Sequence, residues 1–316
     1  MKIRLLHPQP IHKENVYRGL APGIELIYYG LKELGHEVER SDTADKGSIN
    51  LTFWQFITDR QLGNPEFLNS KNSAVFQVEQ MDVVLTYGKQ IMYNLFDKME
   101  EEAWCANHRL ERENPQYVRW CTEMNVWDYS VLNKPHFEKA KSYTVFDWGF
   151  QKELFQPCWK KDATRGIAFY GGESERRNNL IKQLQNHVDV GRINAKWGDS
   201  LFKDVSEYSF ILSIGKVAEN NYFDFTRFNR IAESLRMAEA LHKGFFTLCE
   251  QSRDNQQNIY WSDCAVMSPL LNLLPNAIDL LTDDKYVDVQ QEKVANFKER
   301  TSMARTLERL LDETFT

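Results

Sequence analysis

The hydrophobic positions of the chain follow two patterns, short apolar runs and longer stretches with apolar residues at helical spacing. The opening KIRLLH predicts a buried strand, and residues 23–34 after it have the spacing of an amphipathic helix. Gly35 stands where a helix C-terminal cap is expected, and the following HEVER alternates as a strand does. This strand, loop, helix and strand order is typical of a doubly wound parallel sheet.

The same alternation continues along both halves of the chain. In the first half the predicted strands are SAVFQVE, DVVLTY, NVWDYS and SYTVFDWGF, with a helix around residues 90–102. In the second half they are GIAFYGG, VGRINAKWG, YSFILSIG, FFTLCE and a strand near CAVMS, with helices over 176–187, 229–241 and 290–315. The segment FQPCWKKDATR between the halves has a proline and a charged run. We therefore predict two α/β domains, residues 1–156 and 157–316, and a final helix able to pack back on the first.

Composition supports two packed domains and indicates where in the cell the protein is expected. A length of 316 residues suffices for two domains, and 42% hydrophobic with 13% aromatic residues indicates packed cores. No run reaches the roughly 20 apolar residues of a membrane-spanning helix, and the N-terminus lacks the apolar region of a signal peptide. We expect a cytoplasmic protein without transmembrane contact. The five cysteines are scattered without a CxxC pair, which favours reduced thiols over a metal site.

Charge and motif content disfavour two classes of protein. The net charge of −6 disfavours a nucleic-acid-binding protein, because it opposes a polyanionic partner unless basic residues concentrate on one face. A dinucleotide-dependent oxidoreductase is unsupported because no GxGxxG follows the first strand.

The first motif with chemistry is FYGGESERRNN, in which a predicted strand ends at Gly171 and Gly172 and a helix starts with Arg176 and Arg177. Backbone amides, the helix N-terminus and two guanidinium groups could converge there on one anion, for which a diphosphate is the natural ligand. A tight strand-to-helix turn with solvated arginines is an equally good interpretation.

The second motif lies in the helix of RFNRIAESLRMAEALHKGFFTLCEQS, where Arg236 and Glu239 are three residues apart on one face. The arginine could neutralise a phosphate, and the carboxylate could accept hydrogen bonds from ribose hydroxyls. An ordinary surface ion pair is the alternative.

Over residues 166–252, the order of these motifs, ending in Leu248-x-Glu250, resembles the donor-binding domain of GT-B glycosyltransferases, with spacing similar to the phage DNA β-glucosyltransferases. The resemblance implies two Rossmann-like doubly wound domains facing across a cleft. It also implies a UDP- or GDP-linked sugar bound by Gly172, Arg176, Arg177, Arg236 and Glu239, with Gly171 in the same turn. The first half is more loosely similar, through VFQVEQM, NVWDYSVLN and VFDWGF, but the last replaces the usual P-x-G.

An inverting transferase needs a base for the acceptor hydroxyl, and carboxylates of the first half are the candidates. Asp128 is the first choice because it ends a predicted strand between two aromatic residues, and Glu79 and Glu25 follow. A structural carboxylate is at least as good an interpretation for each. His7 also ends a strand, although a lone histidine there is more often structural. The aromatic residues of 50–56 could meet an acceptor but are more typical of a core.

No metal motif is evident, because Asp283 and Asp284 precede a late helix as its cap would, so neither a metal nor a cofactor is expected. The leading hypothesis is a hexosyl- or pentosyltransferase with a saccharide acceptor. One alternative is a DNA glycosyltransferase acting on hydroxymethylated bases, which would need a basic groove. Another is a nucleotide-sugar binding protein without catalytic activity.

Overall fold

The computed structural model describes residues 1–8, 19–58, 62–78, 123–163, 165–173, 175–193, 198–215 and 233–316. The chain divides into two units. The N-terminal unit comprises Met1–Asp147 and Ala304–Thr316, and the C-terminal unit comprises Trp148–Met303.

The N-terminal unit is built on a six-stranded parallel sheet in the order β2-β1-β3-β4-β5-β6. Its elements, in chain order, are β1 Lys2–Leu6, α1 Ala21–Glu33, β2 Glu37–Ser41, β3 Ile49–Phe53, α2 Trp54–Thr58, β4 Ser73–Gln77, β5 Asn125–Asp128 and β6 Ser142–Val145. The predicted opening is confirmed, and Gly35 ends α1 with a φ of +76°, a conformation that glycine adopts without strain. The predicted DVVLTY strand and the helix around 90–102 lie outside the described residues.

The aromatic stretch at residues 50–56 is part of the core of this unit. Asn50 to Phe53 belong to β3, and the rings of Phe53, Phe56 and Phe76 are fully buried. The Phe53 and Phe76 rings stack with centroids 5.4 Å apart. These aromatic residues therefore stabilise the sheet.

The C-terminal unit is built on a five-stranded parallel sheet in the order β11-β10-β9-β7-β8. Its elements, in chain order, are β7 Arg165–Tyr170, α3 Glu175–Gln185, β8 Val190–Ile193, α4 Asp199–Val205, β9 Tyr208–Ser213, α5 Ser234–His242, β10 Thr247–Glu250, α6 Asn255–Ser262, β11 Val266–Ser268, α7 Leu273–Leu281 and α8 Tyr286–Glu299. The predicted strands of this half are all present.

Both faces of this second sheet are buried. Ile167 and Phe169 pack into one cluster of apolar side chains, whereas Ala168 and Tyr170, which alternate with them along β7, pack into another. A parallel sheet covered on both sides explains why its strands read as continuous apolar runs.

One helix of the C-terminal unit has a buried histidine in its last turn. His242 has its Nε2 2.9 Å from the backbone nitrogen of Gln151 and its Nδ1 2.7 Å from the carbonyl oxygen of Ala238. The first contact requires Nε2 to accept, so the neutral imidazole carries its proton on Nδ1. Burial lowers the pKa of His242 to about 4.

The prediction of one helix over residues 290–315 is wrong. Helix α8 ends at Glu299, Arg300 is extended with ψ of 171°, and a separate helix α9 spans Met303–Phe315. The break is tertiary in origin, because Ser302 pairs with Phe150 in an isolated β-bridge and the Met303 nitrogen donates to the Phe150 carbonyl oxygen at 2.8 Å. Continuous helical hydrogen bonding would leave this pairing unmade.

Helix α9 packs within the N-terminal unit. The Trp127 indole nitrogen donates to Thr314 Oγ1 at 2.9 Å, and Arg309 donates to the Val145 carbonyl oxygen at 3.0 Å. Leu307, Leu310 and Leu311 are buried on its apolar face. Among the residues described, none of the helices has the length and apolar character needed to cross a membrane.

Candidate functional site

The strand order of the C-terminal sheet reverses between β7 and β9, and the predicted donor residues gather at the carboxyl ends of these two strands. Gly171 and Gly172 follow β7, and Ile214 and Gly215 follow β9. Chain connections leave this point in opposite directions, which opens a crevice where parallel α/β sheets bind ligands. Helices α3 and α5 supply the charged side chains.

Arg176 forms a buried bidentate ion pair. Its Nη1 and Nη2 donate to the two carboxylate oxygens of Glu250 at 2.9 and 2.5 Å, and the two side chains are only 5% and 4% exposed. Nη1 also donates to the Gly215 carbonyl oxygen, and the Gly215 nitrogen donates back to Glu250. This pair ties α3 to β10 and to the turn after β9.

Arg177 fastens the ends of the two central strands to each other. Its Nε and Nη2 donate to the Ile214 carbonyl oxygen at 2.9 and 2.8 Å, and its Nη1 donates to the Gly172 carbonyl oxygen at 2.8 Å. Nη2 also pairs with Glu233 Oε1. The side chain is 1% exposed, and burial lowers the pKa of Arg177 from its ordinary value.

Arg236 lies in the first turn of α5, beside Gly171. Its guanidinium is 5.3 Å from the centroid of the Tyr170 ring and pairs with Glu233 Oε2. Gly171 has a φ of +145°, and a Cβ there would lie 2.8 Å from Arg236 Nη2. Glycine is therefore required both by the backbone conformation and by the approach of the guanidinium. At 16% exposure, Arg236 is more accessible than Arg177.

Glu239 follows Arg236 by one helical turn and is partly buried. Burial raises the pKa of Glu239 to about 7, although the positive charges of Arg236 and Lys243 act in the opposite direction. A carboxyl group that titrates near neutrality gains from hydrogen-bond donors that stabilise its charged form. Ligand hydroxyl groups would be such donors.

The six predicted donor residues thus lie together, and the four charged ones fall into two groups. Arg176 and Arg177 are engaged in structural ion pairs and in hydrogen bonds to strand ends. Arg236 and Glu239 are only partly buried and are the more accessible charged side chains of the set. The binding roles of all six stay predictions.

Sequence reasoning missed Glu233, which bridges Arg177 and Arg236. A signal for it exists, because Glu233 precedes Arg236 by three residues, a spacing that brings two side chains within reach of each other. Glu233 lies directly before α5 with φ of −77° and ψ of 67°, outside the helical region.

Asp128 is fully buried at the end of β5. Its Oδ1 accepts from the Ser130 nitrogen at 2.9 Å and from Asn133 Nδ2 at 3.0 Å, so the carboxyl group holds the turn after the strand. Burial raises the pKa of Asp128 well above its ordinary value, although these hydrogen bonds lower it. A raised pKa suits a general base as well as a buried structural acid, and the catalytic role stays a prediction.

The other candidates of the first half are placed as follows. Glu79 lies outside the described residues. Glu25 pairs with Arg40 through two hydrogen bonds of 2.7 Å. His7 is 2% exposed with its Nδ1 3.1 Å from the Pro8 carbonyl oxygen, and burial lowers its pKa.

In the described part of the chain, no group of three or more acidic, histidine or cysteine side chains is arranged so that it could hold a metal ion. Cys158, Cys249 and Cys264 are free thiols, and Cys105 and Cys121 lie outside the described residues.

The two α/β units, each built on a parallel sheet, match the GT-B glycosyltransferase fold, and the predicted fold class is confirmed. Sucrose-phosphate synthase from Thermosynechococcus elongatus is similar at a TM-score of 0.54 and 12% identity, over 100% of this chain and 99% of that one. WaaG, a glycosyltransferase involved in lipopolysaccharide biosynthesis, is similar at 0.50 and 9% identity, over 99% of both chains. No protein-family model and no curated protein sequence matches the chain.

Proposed function

We propose that the protein is a glycosyltransferase that moves a hexose or pentose from a UDP- or GDP-linked donor to a hydroxyl group of a saccharide. The observation that carries this proposal is the placement of two partly buried charges at the switch point of the C-terminal sheet, with Arg236 beside Gly171 and Glu239 one turn further along α5. The GT-B fold is in agreement with it.

The two charges suit the two polar parts of a nucleoside diphosphate. Arg236 provides a fork of donors for phosphate oxygens and neutralises the charge that grows on the diphosphate as the glycosidic bond breaks. Glu239 accepts hydrogen bonds from ribose hydroxyls, which stabilise the carboxylate. Arg176 and Arg177 hold the strand ends that frame the site.

Isothermal titration with a panel of nucleotide-sugars and free nucleotides tests the proposal. We expect Arg236→Ala and Glu239→Ala each to weaken binding of the preferred donor at least tenfold, about 1.4 kcal/mol. Arg309→Ala is the matched control, because it breaks an arginine–glutamate pair of another helix, and it should leave affinity unchanged. Wild-type affinity in both site variants would show that the site is elsewhere.

Turnover separates an enzyme from a binding protein. Sugar transfer to a saccharide panel, or slow hydrolysis of the bound donor, is expected for an enzyme, whereas tight binding without either product would indicate a binder. Salt-dependent binding of duplex DNA at low salt would instead favour a modified-DNA acceptor, which the net charge of −6 opposes.

A further inference from the structure

Glu233 occupies the position between two arginines at the candidate site. One carboxylate oxygen pairs with Arg177 and the other pairs with Arg236. A single anionic group thus spans two guanidinium groups that come from different helices. At 27% exposure the Glu233 side chain is the most accessible of the three.

The arginines do not need Glu233 to remain in place. Arg177 keeps its hydrogen bonds to the Ile214 and Gly172 carbonyl oxygens. Arg236 is held over the Tyr170 ring. Glu233 itself precedes α5, has non-helical dihedrals and makes no side-chain cap of that helix. The carboxylate can therefore leave without unwinding the helix.

A phosphoryl group matches what Glu233 provides. It is anionic, and two of its oxygens can accept from two guanidinium groups as the two carboxylate oxygens do. A diphosphate carries more negative charge than a carboxylate and would be the stronger partner for the pair. Glu233 and such a ligand cannot both fill the space between Arg177 and Arg236.

We propose that the Glu233 carboxylate stands in for a phosphoryl group of the donor, and that the diphosphate displaces it to bind Arg236 and Arg177. This inference rests on the proposed function and adds to it an internal competitor. Glu233 lowers the affinity for diphosphates and offsets part of the positive charge of the arginine pair when the site is empty. Product release gains from the same competition, because the carboxylate returns as the nucleoside diphosphate leaves.

The test compares wild type with Glu233→Gln, which keeps the shape of the side chain and removes its charge. We expect UDP and inorganic pyrophosphate to bind at least threefold tighter to the variant by isothermal titration, and uridine, which has no phosphate, to bind equally to both. Asp189→Asn is the control, because Asp189 pairs with Arg165 at the amino-terminal edge of the same sheet. It should change none of the three affinities.

The variants also separate the two proposals. Equal or weaker diphosphate binding by a folded Glu233→Gln protein overturns the inference, while the proposed function stands if wild type still binds a nucleotide-sugar. Tighter pyrophosphate binding without any nucleotide binding supports the competition between Glu233 and phosphate groups, but it overturns the proposed function and with it the assignment of that phosphate to a nucleotide donor. If neither protein binds any of these ligands, both fail. Should Glu233→Gln not fold, Glu233→Asp decides, since its shorter carboxylate cannot span both arginines and should raise diphosphate affinity as well.

Discussion

Removing one partner of the buried ion pair between Arg176 and Glu250 should strongly destabilise the C-terminal unit. Glu250→Gln keeps the volume of the side chain but leaves a guanidinium that is almost fully buried without its counter-charge. Breaking a buried pair by removing one partner costs about 3–5 kcal/mol. Because roughly 1 kcal/mol shifts the melting temperature of a unit of this size by about 2–4 °C, we expect a loss of about 6–20 °C.

Two further variants test whether burial of the ion pair is the reason for the expected loss of stability. Glu207→Gln breaks the pair with Lys160, in which both side chains are 54% exposed, and should cost no more than about 1 kcal/mol. Arg176→Met combined with Glu250→Leu removes both charges and should recover much of the stability lost in Glu250→Gln. An unrecovered double variant would point instead to the hydrogen bonds with Gly215.

Urea unfolding gives the free energies, and hydrogen exchange followed by mass spectrometry locates the loss. Amides of β9 and β10 should exchange faster in Glu250→Gln, whereas those of β4 and β5 in the N-terminal unit should keep their wild-type rates. If Glu250→Gln and Glu207→Gln destabilise the protein equally, the reasoning from burial is refuted.

Three other predictions concern the charged and glycine positions. Since the pKa of Glu239 is about 7 in the folded protein against 4.5 as its ordinary value, the free energy of unfolding should fall as pH rises through this window, and Glu239→Gln should remove that slope in urea titrations. Gly171→Ala should weaken UDP binding several-fold by displacing Arg236, whereas Gly35→Ala, which also has a positive φ, should cost about 1 kcal/mol of stability and leave titrated affinity unchanged. The lowered pKa of His242, about 4 against 6.5, adds stability above pH 6.5 that is lost as pH falls; nitrogen NMR should show a neutral ring at pH 5.5 to 6, and a charged ring there would contradict the buried hydrogen bonds.

The strands could be predicted from sequence because a strand that is buried on both faces appears as a continuous run of apolar residues. Phe169 and Tyr170 face opposite sides of the sheet, and both must be large and apolar for packing. No local sequence pattern marks the break in the helix before Met303, because the residues that cause it, Gly149 and Phe150, are far away in sequence. Helix periodicity alone continues across it.

The candidate site could likewise be predicted only in part, because its location follows from local sequence and the partners of its arginines do not. Glycines and arginines near the predicted strand ends indicated where charged side chains would cluster, because strand ends and helix starts meet at one edge of a parallel sheet. Sequence could not divide the arginines, since Arg176 and Arg177 are neighbours and differ only in which carboxylate each meets, Glu250 or Glu233. Those partners are 74 and 56 positions away along the chain.

The assignment of Ala304–Thr316 to the N-terminal unit has a consequence for biosynthesis. A ribosome makes residues 1–147 first, yet the surface that receives Thr314 and Phe315 on Trp127 stays uncovered until residues 304–316 are made. The C-terminal unit can therefore complete its core before the N-terminal unit does. Supplying residues 303–316 as a separate peptide to a chain ending at 302 should restore protection of Trp127 from a soluble fluorescence quencher, whereas a peptide with Leu307, Leu310 and Leu311 replaced by serine should not.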